Sequence, residues 1–255
     1  MSDVQVASAP SVPSPEAEAF YVESLRHLAA SGIPFLLAGT YAVCAYTGIS
    51  RPTKDIDVFC RAGDYPRILG HFRDIGYDIE VEDERWIAKV RRGEHFFDVI
   101  FGSSNGTMPV TDEWFAHACA TEVYDTPVRM ISPTELVWSK VFIQLRHRYD
   151  GNDIAHIILK QHQDIDWHRL LRHMEQYWEV LLVHLLNFRF IYPSERDSVP
   201  RWLLDELLGR LRRQLDMPPS QMKVCRGRMF SRSDFLVDVQ EWGFADVAGE
   251  DKWSS

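Results

Sequence analysis

Two carboxylates one residue apart open an apolar strand-like run, Asp55-Ile56-Asp57-Val58-Phe59. Side chains of a strand alternate between its faces. Asp55 and Asp57 therefore share one face, roughly 6 to 7 Å apart along the backbone, while Ile56 and Val58 enter a core. Like charges this close call for a cation between them. Hard oxygen donors suit Mg²⁺ or Mn²⁺, and Mg²⁺ is commonly held by one or two carboxylates together with substrate phosphates. A calcium loop is a poor match, because the positions after Asp57 lack the further oxygen ligands, the glycine and the closing glutamate.

A third carboxylate, Asp98, stands inside His95-Phe96-Phe97-Asp98-Val99-Ile100-Phe101, a run that otherwise reads as a buried strand. An unpaired buried carboxylate costs several kcal/mol even after relaxation, so a metal, a cationic partner or a shifted pKa must accompany it. The simpler reading is a strand-end carboxylate that reaches water. Upstream, the apolar run Ile33 to Leu37 leads through Ala38-Gly39-Thr40 into the helical stretch Tyr41 to Tyr46, which ends at Gly48. In this strand, turn and helix, Gly39 lets the backbone come close to a ligand, Thr40 can cap the helix, and the helix start attracts phosphate. No Walker loop or dinucleotide fingerprint is present.

Along the chain, residues 1–14 are rich in Ser, Ala and Pro and read as a mobile arm. A first helix is expected from Pro15 to about Ser31 and another from Asp64 to Ile75. Strands follow near Tyr77 to Val81, Trp86 to Arg91 and His95 to Phe101. Gly102 to Gly106 is a loop, Asp112 to Cys119 a short helix, and Val123 to Ile131 a hairpin or edge strand. Ser132-Pro133-Thr134-Glu135 is a capping box with proline at the first helical position, and from there the pattern turns helical. The expectation is an α+β chain with an α/β core over 15–131, in which flanking helices cover a mixed sheet. A helical C-terminal domain, a packed bundle with an irregular tail, follows over 132–255. The segment Asp234 to Val239 reads as a strand or as a piece packed on the bundle.

Composition narrows the setting. With 28 basic and 37 acidic residues the net charge is −9, which excludes a global basic footprint for nucleic acid. The four cysteines, Cys44, Cys60, Cys119 and Cys225, are scattered without C-x-x-C spacing, as for reduced thiols in a cytoplasmic protein. The first residues carry no basic and apolar leader pattern, and the apolar stretch Trp178 to Tyr192 is broken by Glu179, His184 and Arg189, so no membrane span is expected.

Three features of the helical half also hold charge. Lys140 projects between Leu136 and Val137 at about 100° per residue, on the face those residues should bury, and it wants an anion. Asp150-Gly151-Asn152-Asp153 breaks the chain and starts a helix. Residues 201–232 hold eight Lys or Arg against three Asp or Glu, a local excess that includes Arg226 and Arg228. A solvated basic face and an RNA- or nucleotide-steering patch are both consistent with that excess.

Together, Ala38-Gly39-Thr40, Asp55-x-Asp57 and Asp98 resemble the nucleotidyltransferase fold of the DNA polymerase beta superfamily. Arg51-Pro52-Thr53-Lys54-Asp55-Ile56-Asp57 is similar to its bacterial branch of abortive-infection and toxin-type enzymes. Trp138-Ser-Lys140, Arg148 to His156, Tyr192-Pro-Ser-Glu-Arg196 and Cys225-Arg-Gly227 extend the resemblance to an uncharacterised bacterial group. It implies transfer of a nucleoside monophosphate from an NTP, with Mg²⁺ or Mn²⁺, to a hydroxyl on an RNA end such as tRNA, a protein or a small molecule. In that reading Asp55, Asp57 and Asp98 are catalytic and hold metal. Gly39, Thr40, Arg51 and Lys54 serve the nucleotide, Lys140 reaches its phosphates across a domain cleft, and Asp153 lies near the site. One position departs from the pattern. Ala38 stands where the superfamily has the first of two glycines, and its methyl narrows the phosphate approach. That departure motivates the alternative of a degenerate nucleotide-binding or antitoxin-like partner-binding module.

Overall fold

The computed structural model describes residues 10–247. Most of the expected N-terminal arm, residues 1–9, lies outside the described residues. Ser11, within the rest of that arm, bridges to Pro52. Its N–H donates to the Arg51 carbonyl at 3.1 Å and its carbonyl accepts from Thr53 N–H at 2.9 Å. Two compact units divide the chain, Met1–Leu136 and Val137–Ser255.

The first unit begins with α1 (Pro15–Ala30). Its start is written in the sequence. Ser14 accepts from Ala17 N–H at 3.2 Å, Pro15 opens the first turn, and Glu16 and Glu18 face the positive end of the helix dipole. Its buried residues Ala17, Phe20, Tyr21, Ser24, Leu25 and Leu28 recur every three or four positions and form one stripe. β1 (Leu36–Leu37) then leads directly into α2 (Gly39–Thr47). Contrary to the expected cap at Thr40, the helix starts at Gly39 with Ala38 in the cap position and no side-chain cap bond. Thr40 falls inside the first turn.

β2 (Asp57–Phe59), α3 (Tyr65–Asp74), β3 (Asp78–Asp83), β4 (Ile87–Arg92), β5 (His95–Ile100), α4 (Asp112–His117), β6 (Cys119–Val123) and β7 (Thr126–Met130) complete this unit as far as α5 (Pro133–Lys140). The seven strands form one mixed sheet in the order β3-β4-β5-β2-β1-β7-β6. β2 runs parallel to β5 and β1 parallel to β7, and the other pairings are antiparallel. Leu36, Leu37, Val58, Val90, Phe97, Val99 and Met130 are wholly buried along the central strands, and each such aliphatic or aromatic side chain contributes about 1.5–3 kcal/mol. Phe72 of α3 meets Phe97 at 5.0 Å and Tyr77 at 5.1 Å between ring centroids, near edge-on. The stretch expected from 123 to 131 is the turn and second strand of a hairpin whose first strand, β6, begins at Cys119, where the sequence suggested the end of a helix. Its two-residue turn holds Tyr124 and Asp125 at φ 52° and 54°, positions more often taken by Asn and Gly. Ser132 Oγ donates to the Glu135 carboxylate at the start of α5, joining the two ends of the expected capping box side chain to side chain.

The division between units falls inside α5. The second unit holds the end of that helix, α6 (Gly151–Gln161), α7 (Trp167–His173), α8 (Trp178–Ile191) and α9 (Arg201–Leu215). α8 packs against both α6 and α9, and Leu181, Leu182, Leu185 and Phe188 of α8, Ile154 and Ile157 of α6, and Leu203 and Leu207 of α9 are buried. After them β8 (Val224–Cys225), α10 (Leu236–Gln240) and β9 (Ala245–Asp246) follow, with β8 parallel to β9. The segment considered as a strand at Asp234 to Val239 is thus largely the short helix α10. Among the described residues no helix is long and apolar enough to cross a membrane.

Candidate active site

Strand register brings the acidic residues together. Asp57 is the first residue of β2 and the Cα partner of Asp98 on the parallel strand β5, a pairing fixed by Asp98 N–H donating to the Ile56 carbonyl at 2.8 Å. Register partners on adjacent strands carry their side chains on the same face. Asp55 precedes the strand, where Thr53 Oγ1 donates to its side chain at 3.2 Å and to its carbonyl at 3.1 Å. Its charge acts on Asp98. Burial, with like charge from Asp55 and Glu82 adding to it, pushes the Asp98 carboxyl above its ordinary value against the pull of Lys89.

Gly39 has a further use that the sequence did not disclose. A Cβ at this position would lie 1.7 Å from Asp57 Oδ2, and the backbone holds φ +56°. The glycine thus makes room for the Asp57 carboxylate itself, at the start of α2, where free N–H groups favour negative charge. Tyr41, two residues into that helix, shares a 2.9 Å bond between hydroxyls with Tyr124, the strained turn residue. The wholly buried Tyr21 hydroxyl has no hydrogen-bond partner and is pushed up to about 12 by burial, then by the charge of Asp55 and Tyr124.

Sequence reasoning missed Lys89. It is the antiparallel register partner of Asp98 on β4, 9% exposed, with Nζ 2.7 Å from Asp98 Oδ1 and 3.2 Å from Glu82 Oε2. Burial opposes its charge, but the two carboxylates outweigh burial and raise its pKa above the ordinary lysine value. The signal was present: a lysine inside the apolar run Ile87-Ala88-Lys89-Val90 is the same anomaly as Asp98 in its own strand. Of the two accompaniments of Asp98 that this structure can display, a cationic partner and a shifted pKa, both are found.

The donor set fits a hard divalent cation, since Asp55, Asp57 and Asp98 offer carboxylate oxygens alone and Gly39 leaves space for one of them. Among the described residues no three such groups already form a cage, and one oxygen of Asp98 is taken by Lys89. Thr40 and Arg51 are half-buried and Lys54 is exposed.

Lys140 belongs to the second unit. It is 4% exposed, with Nζ 2.6 Å from Asp150 Oδ2 and 2.9 Å from Asp153 Oδ2. The anions that meet this ammonium are side chains of its own unit. Asp150 and Asp153 use their carboxylates on Lys140, and Asp150, at the cap position of α6, makes no side-chain cap bond. The basic excess over 201–232 is also largely matched. Arg201, Arg210, Arg213 and Arg226 pair with Asp205, Glu206 or Glu175, Glu206 and Glu179, and Arg228 is buried against Asp246.

No protein-family model and no curated protein matches the sequence. Among solved structures, the chain aligns with the lincosamide antibiotic adenylyltransferase LnuA bound to lincomycin at 18% identity, covering 56% of this chain and 96% of that one, with a TM-score of 0.40. It aligns with the antibiotic-resistance factor ANT(2'')-Ia at 15% identity over 69% and 95%, with a TM-score of 0.39. An antigenic nucleotidyltransferase-like protein from Paracoccidioides brasiliensis aligns at 15% identity over 72% and 92%, with a TM-score of 0.43.

Proposed function

We propose that this chain transfers a nucleoside monophosphate from an NTP to a hydroxyl acceptor and releases pyrophosphate. The observation that carries the reading is the register of Asp57 against Asp98, with Asp55 two residues upstream and a helix start that lacks a Cβ where Asp57 enters it. In the balanced reaction the acceptor oxygen forms a bond to the α-phosphorus, the bond from that phosphorus to the bridging oxygen breaks, and pyrophosphate leaves. The hydroxyl proton goes to a carboxylate.

Asp55 and Asp57 would hold the divalent cation. The chemistry that Mg²⁺ or Mn²⁺ supplies when bound is neutralisation of charge on the triphosphate and on the attacking oxygen. Asp98, with Oδ1 on Lys89, keeps Oδ2 for the acceptor hydroxyl and its proton. Gly39, Thr40, Arg51 and Lys54 supply backbone, hydroxyl and cationic donors around Asp57 for the phosphates. Lys140 and Asp153 enter as a structural pair of the helical unit.

The test uses each α-labelled NTP with Mg²⁺ or Mn²⁺ and fractionated cell lysate, comparing wild type with Asp57→Ala and with Asp55→Ala/Asp57→Ala. Wild type is expected to label one fraction and to release pyrophosphate, while both variants fold and transfer nothing. The fraction that takes up label names the acceptor class. Full activity in Asp57→Ala refutes the assignment. Equilibrium binding of Mg²⁺–NTP with no pyrophosphate release over hours favours a binding module instead.

A further inference from the structure

The central ammonium of the acidic face has no role in that reaction scheme, and its surroundings suggest one. On the row β3-β4-β5-β2, Lys89 and Asp98 are register partners and so are Asp98 and Asp57. Lys89 also has Glu80 as its partner on β3, but Glu80 turns to Arg91 at 2.7 Å. The carboxylate that reaches Lys89 is Glu82, which stands at the point where the β3-β4 register shifts between Val81 and Asp83. Bulges of this kind re-aim side chains beside functional sites. The ring of Phe96 faces the same ammonium at 4.6 Å. Lys89 is therefore held from three directions, and one oxygen of Asp98 is fixed to it at 2.7 Å.

We propose that Lys89 is a positioning residue that keeps Asp98 from closing on the divalent ion held by Asp55 and Asp57, reserving that carboxylate for the acceptor hydroxyl. The proposal rests on the nucleotidyl-transfer reading of the same face. It accounts for two observations together: Asp57 and Asp98 stand opposite each other by register, yet one oxygen of Asp98 is bound to Lys89. The ammonium draws Asp98 toward β4 and places a positive charge where a tightly enclosed cation would be repelled. The arrangement weakens metal binding in favour of a free base.

That trade has an opposite sign for the two readouts, which a merely structural role does not produce. Mn²⁺ binding to the nucleotide-free full chain is measured by electron paramagnetic resonance for wild type, Lys89→Met, Lys89→Arg and Asp57→Ala. Lys89→Met is expected to bind Mn²⁺ at least about tenfold more tightly, because it loses a repelling charge and frees a carboxylate. In the labelled-nucleotide assay the same variant transfers about 10- to 100-fold more slowly, with KM for the NTP unchanged. Lys89→Arg, which keeps the charge and the donors, restores both values toward wild type. Lys89→Gln retains a donor without the charge and serves in place of Lys89→Met if that variant does not fold, with the same expectations. Mn²⁺ binding no tighter than wild type in the folded uncharged variant, or transfer as fast as wild type, overturns the role of Lys89. Wild type that neither binds Mn²⁺ through Asp57 nor transfers label overturns the nucleotidyl-transfer reading instead, so the two failures are distinguishable.

Discussion

Replacing Gly39 by alanine would set a methyl carbon 1.7 Å from Asp57 Oδ2 on a backbone at φ +56°, so two costs fall on one substitution. The left-handed conformation disfavours any Cβ, and alanine where φ is positive typically destabilises by more than about 1 kcal/mol. The second cost is displacement of the carboxylate. Gly39→Ala is expected to lower the melting temperature by at least about 2–4 °C for a chain of this size and to abolish transfer. Calorimetry and the label assay check the two effects, and a variant that melts and transfers like wild type would contradict this role of the glycine. At this scale Asp57 and Asp98, which the register pairs, stood out in the sequence because a carboxylate within an apolar strand contradicts its surroundings. What the glycine admits, and which ammonium meets Asp98, were not legible. The first depends on how α2 meets β2 and the second on the β4–β5 register, so Lys89 is anomalous in its own strand without that anomaly naming its partner.

At the level of elements, the end of α5 and the start of α6 are joined by the buried triad of Lys140, Asp150 and Asp153. Lys140→Met would leave two neighbouring carboxylates buried without their central cation, although Arg148 also pairs with Asp150 at 3.2 Å. Removing one partner from such a set costs about 3–5 kcal/mol. The expected result is a clear fall in the urea midpoint, and an unchanged midpoint would show the triad to be dispensable. α8 carries a second buried group, His184, 2% exposed, whose Nε2 lies 2.9 Å from the Val141 carbonyl while Nδ1 has no partner. Burial lowers its pKa below the ordinary 6.5, and the Val141 bond only partly opposes this. The folded form thus binds a proton less readily than the unfolded one. Its contribution to stability is complete above the unfolded value and is lost as pH falls below it towards the lower folded value, by up to about 1.4 kcal/mol per pH unit. His184→Gln should flatten that part of the stability–pH curve, and an equally steep curve in the variant would assign the slope to other groups. Long periodic elements such as α1 and α3 were legible from their spacing, and the C-terminal bundle from its helical pattern. Of the two readings of Asp234 to Val239, the strand is not found, because a helix of five residues is too short for its own pattern to declare it.

On the scale of the whole molecule, net charge and cysteine placement carry information that no single element does. An excess of +5 over 201–232 in a chain of charge −9 looked like a possible nucleic-acid face. Acidic partners at Glu175, Glu179 and Asp246 lie outside that window, so a window count could not see them. The thiols were easier to read, because scattered cysteines in apolar stretches behave as small core residues. All four are free. Cys44 and Cys60 are fully buried and Cys225 is 8% exposed, while Cys119 is partly open. Reactivity follows the thiolate and its access, and the Cys60 thiol is pushed up to about 12, by burial first and by the Asp64 charge second. A disulfide-exchange reagent at neutral pH should therefore modify Cys119 quickly in the native chain and leave the other three slow. In denaturant all four should react at one rate without prior reduction. A second fast thiol in the native chain would mean that Cys44, Cys60 or Cys225 is not packed as found. Fewer than four thiols in denaturant would mean that a disulfide forms where free side chains are seen.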